Sequence, residues 1–347
     1  MEYQKKDSLM RRTTFTYFAI FVIFLNGLMV GSLRAEDPDP IRMLFIGNSF
    51  TGMHDIPYLV KQLGEHGQPG LEIDYIRALH GGKRLRDHWE IYGSQIYLHL
   101  PEHTAKQIKA ECDAMAAILA RAKDNPEGNR IGVIEPPYGQ RIVNYQKWLE
   151  WIKETCGTPT LDFVVLQSHR DEEGGLESLY AQYARKYAKE ARQHGTKPIL
   201  YVTEFYGLNA NPLTEPPDPE SLMDKLQYQA ALANELEALI VPVPLAVLKV
   251  LQKRPDLTLR YSDNAHLNQI CAYLVTCCFY SAMFDQSPVG LTMREINNPS
   301  FINRVDPDGN PKNIVFSEDV ATILQESAWE AVSEMNVLRG RLAAHKQ

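Results

Sequence analysis

The 347-residue chain has little sulfur chemistry to offer: its five cysteines, Cys112, Cys156, Cys271, Cys277 and Cys278, form no CxxC pair. A zinc site of the common structural kind and a dense disulfide framework are therefore not expected. Three of the five fall in one apolar stretch and read as buried thiols acting as small hydrophobes. A Cys112–Cys156 disulfide stays open in an oxidising compartment. Positive charge is also scarce: 36 Lys and Arg stand against 43 Asp and Glu, for a net charge of −7. No long basic run follows the N-terminal region, so nucleic acid is not an expected partner. There is no HExxH, and the glycine pair Gly81-Gly82 is not followed by the GK[ST] of a phosphate loop. Asp306-Pro307-Asp308-Gly309-Asn310 lacks the spaced ligands and closing Glu of an EF-hand and reads as a turn. No period of 20–50 residues recurs, which excludes a solenoid.

The long apolar run lies at the start. Lys5, Lys6, Arg11 and Arg12 precede Phe15–Val30, and small residues and Ala35 follow before the acidic EDPDP. This order of charge, apolar run and small residues is that of a secretory signal peptide over residues 1–35, with a retained N-terminal membrane anchor as the alternative. Either way the remainder is expected outside the cytoplasm, periplasmic or extracellular, with no stable membrane insertion once a signal is cleaved.

Residues 36–347 read as one domain in which strands and helices alternate. Met43–Ile46, Leu71–Leu79, Phe163–Leu166, Pro198–Val202 and Leu239–Val243 are short apolar runs suited to buried strands. Helices are predicted from Pro57 to His66 with Asp55 as cap, and over 179–194, 221–237 and 267–283. A last one spans about 317–345. A long insertion at about 83–160 carries helices over 105–122 and 142–154. Alternation of this kind favours a parallel sheet covered on both faces.

Two local motifs carry chemistry. Gly47-Asn48-Ser49 leaves the first strand at its carboxyl end, where open α/β sheets bind ligands. Alone it is also an ordinary turn. Near the other end stands Asp263-Asn264-Ala265-His266. A carboxylate three residues before an imidazole on a loop can turn back to fix its tautomer, leaving the other nitrogen to take a serine proton.

Together, Gly47-Asn48-Ser49-Phe50, the DxxH at 263–266 and Ser287-Pro288-Val289-Gly290-Leu291 resemble the SGNH/GDSL hydrolase superfamily, over about residues 41–290. The resemblance implies a three-layer α/β/α sandwich with a mainly parallel, flavodoxin-like sheet. It implies a Ser49–His266–Asp263 triad and an oxyanion hole of Ser49 N–H, Gly82 N–H and a side-chain amide. Gly81 is the competing glycine. The family's GxND is absent; Gln167, in Leu166-Gln167-Ser168-His169, takes the place of its Asn. Asn48 replaces the first-motif Asp and can still hold the turn. No cofactor and no metal are implied. The expected substrate is a small-molecule or glycan ester, an acylated or acetylated carbohydrate by family analogy, with a lipid or short-chain ester open. His80, His88 and His169 compete as pocket residues, and Trp89, Tyr92 and Tyr97 as sugar-stacking or core aromatics. A non-catalytic carbohydrate- or partner-binding module on the same fold is the rival reading. The oligomeric state is not legible.

Overall fold

The computed structural model describes residues 40–99, 160–203, 210–297 and 305–344, with isolated positions between 106 and 113. Five strands form one sheet: β1 (Ile41–Gly47), β2 (Ile73–Leu79), β3 (Phe163–Leu166), β4 (Lys197–Val202) and β5 (Leu239–Pro242). Their order is β2-β1-β3-β4-β5 and every pairing is parallel. Central strands in such a sheet are buried on both faces and need continuous apolar runs. Met43–Gly47 and Val164–Leu166 are accordingly buried throughout.

The chain moves from β1 outward to β2, then returns past β1 to β3 and onward to β4 and β5. With right-handed crossovers, that reversal puts the connecting helices on opposite faces. α1 (Ser49–Gly52) and α2 (Ile56–Gly67) follow β1, and α3 (Leu85–Glu90) follows β2. α4 (Leu179–Gln193), α5 (Glu220–Glu235), α6 (Val243–Lys253), α7 (Gln269–Phe284) and α8 (Glu318–Ala344) complete the helices. α2 packs on α7, which in turn packs on α8; α3 packs on α4. Phe279 of α7 meets Phe45 of β1 and Tyr201 of β4, at ring-centroid distances of 5.9 and 5.1 Å. On the other helix pair, Trp89 of α3 stands edge-on to Tyr187 of α4 at 4.9 Å. The protein is thus an α/β fold, a five-stranded parallel sheet flanked by helices. Strand order reverses at its β1/β3 boundary, and sheets of this kind bind ligands outside the carboxyl ends at such a place.

Sequence explains the caps. Ser178 accepts the Ala181 N–H at the start of α4, and Gly195, with φ +76°, follows its end. Asn268 accepts the Cys271 N–H at the start of α7. That helix is apolar on all sides because α8 covers the side that the sheet does not. Its Cys271, Cys277 and Cys278 are buried free thiols, as the composition suggested.

The structure corrects three expectations. Asp55 precedes α2 but makes no side-chain cap; its carboxylate accepts from Arg77 of β2 at 2.8 Å instead. α6 begins where β5 ends, although the sequence reading carried the strand to Val243 and assigned no helix there. A small antiparallel pair, β6 (Glu295–Asn297) with β7 (Asn313–Val315), was not anticipated. The signal segment, the helices expected at 105–122 and 142–154, Cys112 and Cys156 lie outside the described residues, apart from isolated positions of the first helix. No helix among the described residues is long and apolar enough to cross a membrane.

Candidate active site

Gly47 ends β1 with a carbonyl that two groups hold. The His80 N–H donates to it at 3.0 Å, and His88 Nε2 lies 2.8 Å away. A carbonyl only accepts, so His88 carries its proton on Nε2, and its Nδ1 accepts from the Ser94 hydroxyl at 3.2 Å. Burial drives the His88 pKa down to about 3, and the neighbouring His80 and Lys83 push it the same way. A neutral, fully buried imidazole therefore braces the end of β1. His80 stacks on Tyr92 at 3.9 Å. Tyr92 and Tyr97 are core residues, and Trp89 packs on Tyr187.

Asn48 then turns the chain. Its Oδ1 accepts the Phe50 N–H at 3.0 Å, capping the one-turn helix α1. Its Nδ2 donates to Lys83 O at 3.0 Å, a bond that the Asp of a GDSL motif could not make. This latches the Ser49 turn to the Gly82 turn. Gly82 adopts φ +67°, a left-handed conformation that favours glycine, and its added Cβ would meet nothing within 4 Å. Among the described residues neither the Ser49 N–H nor the Gly82 N–H has a hydrogen-bond partner. The Ser49 N–H is one of the orphan donors of a helix's first turn.

Residues 260–267 bring the second motif in. Arg260 and Leu267 form an antiparallel bridge, and the Tyr261 N–H donates to His266 O at 3.0 Å. Asn264 sits at the tip with φ +55°, a backbone region Asn tolerates better than most residues. Asp263 Oδ1 accepts the N–H groups of Ala265 and His266 at 2.8 and 2.9 Å. Its Oδ2 lies 2.6 Å from His266 Nδ1. His266 Nε2 lies 2.9 Å from Ser49 Oγ, across 217 positions of sequence. The carboxylate fixes Nδ1–H, so Nε2 is the acceptor for the serine proton. Burial opposes ionisation of Asp263, but the bonds from His266 and the two N–H groups outweigh it and leave its pKa below the usual carboxylate value. Ser49, His266 and Asp263 therefore meet in one hydrogen-bonded line.

Gln167 stands differently from the sequence expectation. It is fully buried. Its Oε1 accepts the Asn48 N–H at 2.8 Å and the Thr51 hydroxyl at 3.1 Å, and its Nε2 donates to Ser168 O. Those contacts brace the Ser49 turn from behind and use one of the two N–H groups of the amide that the sequence reading assigns to the oxyanion. The reason is geometric: the longer stem of Gln folds its amide back onto β1 and its own strand end.

Sequence reading missed what holds the Asp–His loop. Ser262 donates through N–H and Oγ to Asp308, the hydroxyl at 2.6 Å. Asp306 accepts from the backbone N–H groups of Asp308 and Asn310. The Asp-Pro-Asp-Gly-Asn segment is thus a turn, as read, but a turn that docks on the residue before Asp263. His54, stacked on Tyr261 at 5.7 Å, contacts Leu267 O at 2.7 Å through Nε2. His169 lies over Phe50 at 5.9 Å, and Phe50 lies against His266 at 5.6 Å. Among the described residues no group of three or more His, Cys, Asp or Glu could hold a metal ion.

The fold and these side chains define an α/β protein with a serine, histidine and aspartate in line beyond the carboxyl end of β1. No family model matches the chain, and no curated protein matches it. Solved structures do. One is a DUF4886 family protein from Bacteroides uniformis, 16% identical, covering 85% of this chain and 95% of that one, with a TM-score of 0.43. Another is a candidate SGNH hydrolase from Slackia heliotrinireducens, 15% identical, covering 71% of this chain and 100% of that one, with a TM-score of 0.38. A third is a gut microbial diltiazem-metabolizing enzyme, 13% identical, covering 71% of this chain and 46% of that one, with a TM-score of 0.31.

Proposed function

We propose that the protein is a serine hydrolase of the SGNH/GDSL type that cleaves carboxylic esters through an acyl-enzyme. The observation that carries this reading is the 2.9 Å approach of His266 Nε2 to Ser49 Oγ, with Asp263 on the opposite ring nitrogen. Residues so far apart in sequence meet with the polarity that proton transfer needs: carboxylate, Nδ1–H, Nε2, hydroxyl.

In this mechanism Ser49 Oγ attacks the ester carbonyl while His266 takes its proton. Asp263 holds the tautomer and stabilises the imidazolium. The tetrahedral oxyanion is met by the N–H groups of Ser49 and Gly82, the two donors without a partner among the described residues. His266 then returns the proton to the departing alcohol, the ester C–O bond breaks, and Ser49 is acylated. Water, deprotonated by His266, cleaves that ester and releases the acid. The steps use no cofactor. Export through the N-terminal segment and a substrate among acylated or acetylated carbohydrates belong to the same proposal. They rest on the charge and apolar pattern of residues 1–35 and on the family resemblance.

The test is covalent labelling. Purified protein should react with a fluorophosphonate probe, and peptide mass mapping should find the adduct on Ser49. Ser49→Ala should abolish both labelling and turnover of a short-chain aryl ester. Folded wild-type protein that neither labels nor turns over any ester overturns the proposal. Labelling that survives Ser49→Ala moves the nucleophile elsewhere.

A further inference from the structure

The chain as a whole carries a net charge of −7, yet three cations stand in the segments that flank the Ser49–His266 pair. Lys83 and Arg84 directly follow Gly82, and Arg170 directly follows His169. One hydrogen-bonded bridge ties these segments together. The Leu85 N–H donates to Ser168 Oγ at 3.0 Å, and that hydroxyl donates to Asp171 Oδ2 at 2.7 Å. Leu85 is the neighbour of Arg84 and Asp171 the neighbour of Arg170, so the backbone of both arginines is fixed. Ser168 and Asp171 are buried, which keeps water from competing for the bridge.

The cations themselves are unspent. Among the described residues Lys83, Arg84 and Arg170 enter no ion pair, while the adjacent Arg86 pairs with Asp87 at 3.7 Å. Arg170 also occupies a backbone with φ +47°, which a bulky side chain rarely adopts. Such an outlier beside a reaction centre points to function in the side chain. His169 joins the arginines to the triad: it stacks on Phe50, which lies against His266. Burial first, then the charges of Arg170, Arg84 and His266, lower the His169 pKa. The positive charge offered here is therefore that of guanidinium groups, which stay charged at any working pH. The His169 Nδ1 is buried without a hydrogen-bond partner among the described residues.

We propose that the site selects esters carrying a fixed oxyanion group near the scissile bond, held by Arg84 and Arg170. The inference rests on the esterase reading above. Guanidinium forks match the planar pair of oxygens of a carboxylate, and they match sulfate and phosphate as well. An acetylated acidic sugar presents this chemistry; its neutral parent does not. The rest of the acidic surface would repel the same substrate, so these cations also orient its approach.

The experiment compares kcat/KM for matched O-acetylated methyl glycosides: the uronate, the 6-sulfate, the 6-phosphate and the neutral hexose. Wild-type protein is expected to prefer a charged ester over the neutral one by about tenfold or more at low salt, the size of one charge-assisted hydrogen bond. The preference should shrink as salt is raised. In the Arg84→Gln/Arg170→Gln double variant the charged-to-neutral ratio should fall by about tenfold, mainly through KM, with folding checked by circular dichroism. Which anion wins separates carboxylate from sulfate and phosphate. A wild-type ratio near one, or a ratio unaltered in the folded double variant, overturns the inference. If the variant does not fold, the salt series on wild-type protein decides, and a salt-independent ratio overturns it. Wild-type protein that labels on Ser49 but shows a ratio near one sinks the inference alone; protein that neither labels nor turns over any ester sinks the esterase reading and the inference with it.

Discussion

At position 167 a single amide serves both ends of the Ser49 turn. Its oxygen holds the Asn48 N–H and the Thr51 hydroxyl, and its nitrogen is tied to Ser168 O. Gly47, next to it, has no room for more: an added Cβ would stand 2.7 Å from both Gln167 Oε1 and Thr51 Oγ1. Removing the amide takes a partner from three polar groups in a buried site, the Asn48 N–H, the Thr51 hydroxyl and Ser168 O, and a group left unsatisfied there costs about 1–3 kcal/mol. Gln167→Ala should therefore lower stability by about 2–5 kcal/mol, together with kcat. Urea denaturation beside ester kinetics separates the two roles open to this residue. A hundredfold loss of kcat at unchanged stability would mean that the amide acts on the oxyanion, as the sequence first suggested.

Two elements far apart in the chain share the task of aiming His266. The loop at 260–267 carries His266, and the turn between β6 and β7 holds that loop through Asp308 and Ser262. Asp308→Ala should loosen the Asp263–His266 pair and lower kcat about fivefold to tenfold with KM nearly constant, since geometry and not binding is lost. Asp308→Asn should recover most of the rate, because its amide oxygen still accepts from Ser262. A rise in KM with no rescue by Asn would count against a positioning role. This brace was not legible in the sequence, where Asp-Pro-Asp-Gly-Asn announces a turn but not what the turn touches. The sheet was more legible. Phe163–Leu166 was read with its true ends because a buried parallel strand needs an unbroken apolar run with polar residues on either side. α6 was missed for the opposite reason: Leu239–Leu248 is apolar almost throughout, so no polar residue marks where β5 stops, and only Pro244 hints at a helix start. Ser49, Asp263 and His266 were readable because each sits in a short motif whose local geometry is nearly fixed. The contacts of Gln167 were not, since residue type reveals an amide but not which neighbours its atoms take.

Across the whole molecule, two histidines are held neutral as structural parts rather than as catalysts. His88 carries the end of β1, and His54 carries Leu267 at the end of the Asp–His loop. Burial lowers their pKa values to about 3 and about 4, from 6.5. Each is buried to 0–1% exposure, so protonation must bury a charge, and that cost outweighs the carbonyl hydrogen bonds, which favour the charged ring. The sign follows from proton counts. Between pH 6.5 and the folded-state values the unfolded chain binds more protons than the native one, so stability rises with pH there and falls on acidification. Each histidine should cost about 2–3 kcal/mol between pH 6.5 and pH 4.5, at 1.36 kcal/mol per unit of pH. The Asp263 shift has the other origin, a carboxylate stabilised in the native state, and its contribution is lost only as pH falls through its lowered value. The loss above pH 4.5 therefore belongs mainly to the histidines. Urea midpoints at pH 7.0, 5.5 and 4.5 should fall steadily, and imidazole carbon shifts should show both rings still neutral in the native protein at pH 5.5. A native ring that titrates near pH 6.5, or a midpoint that stays level to pH 4.5, would show that burial does not hold these two imidazoles neutral.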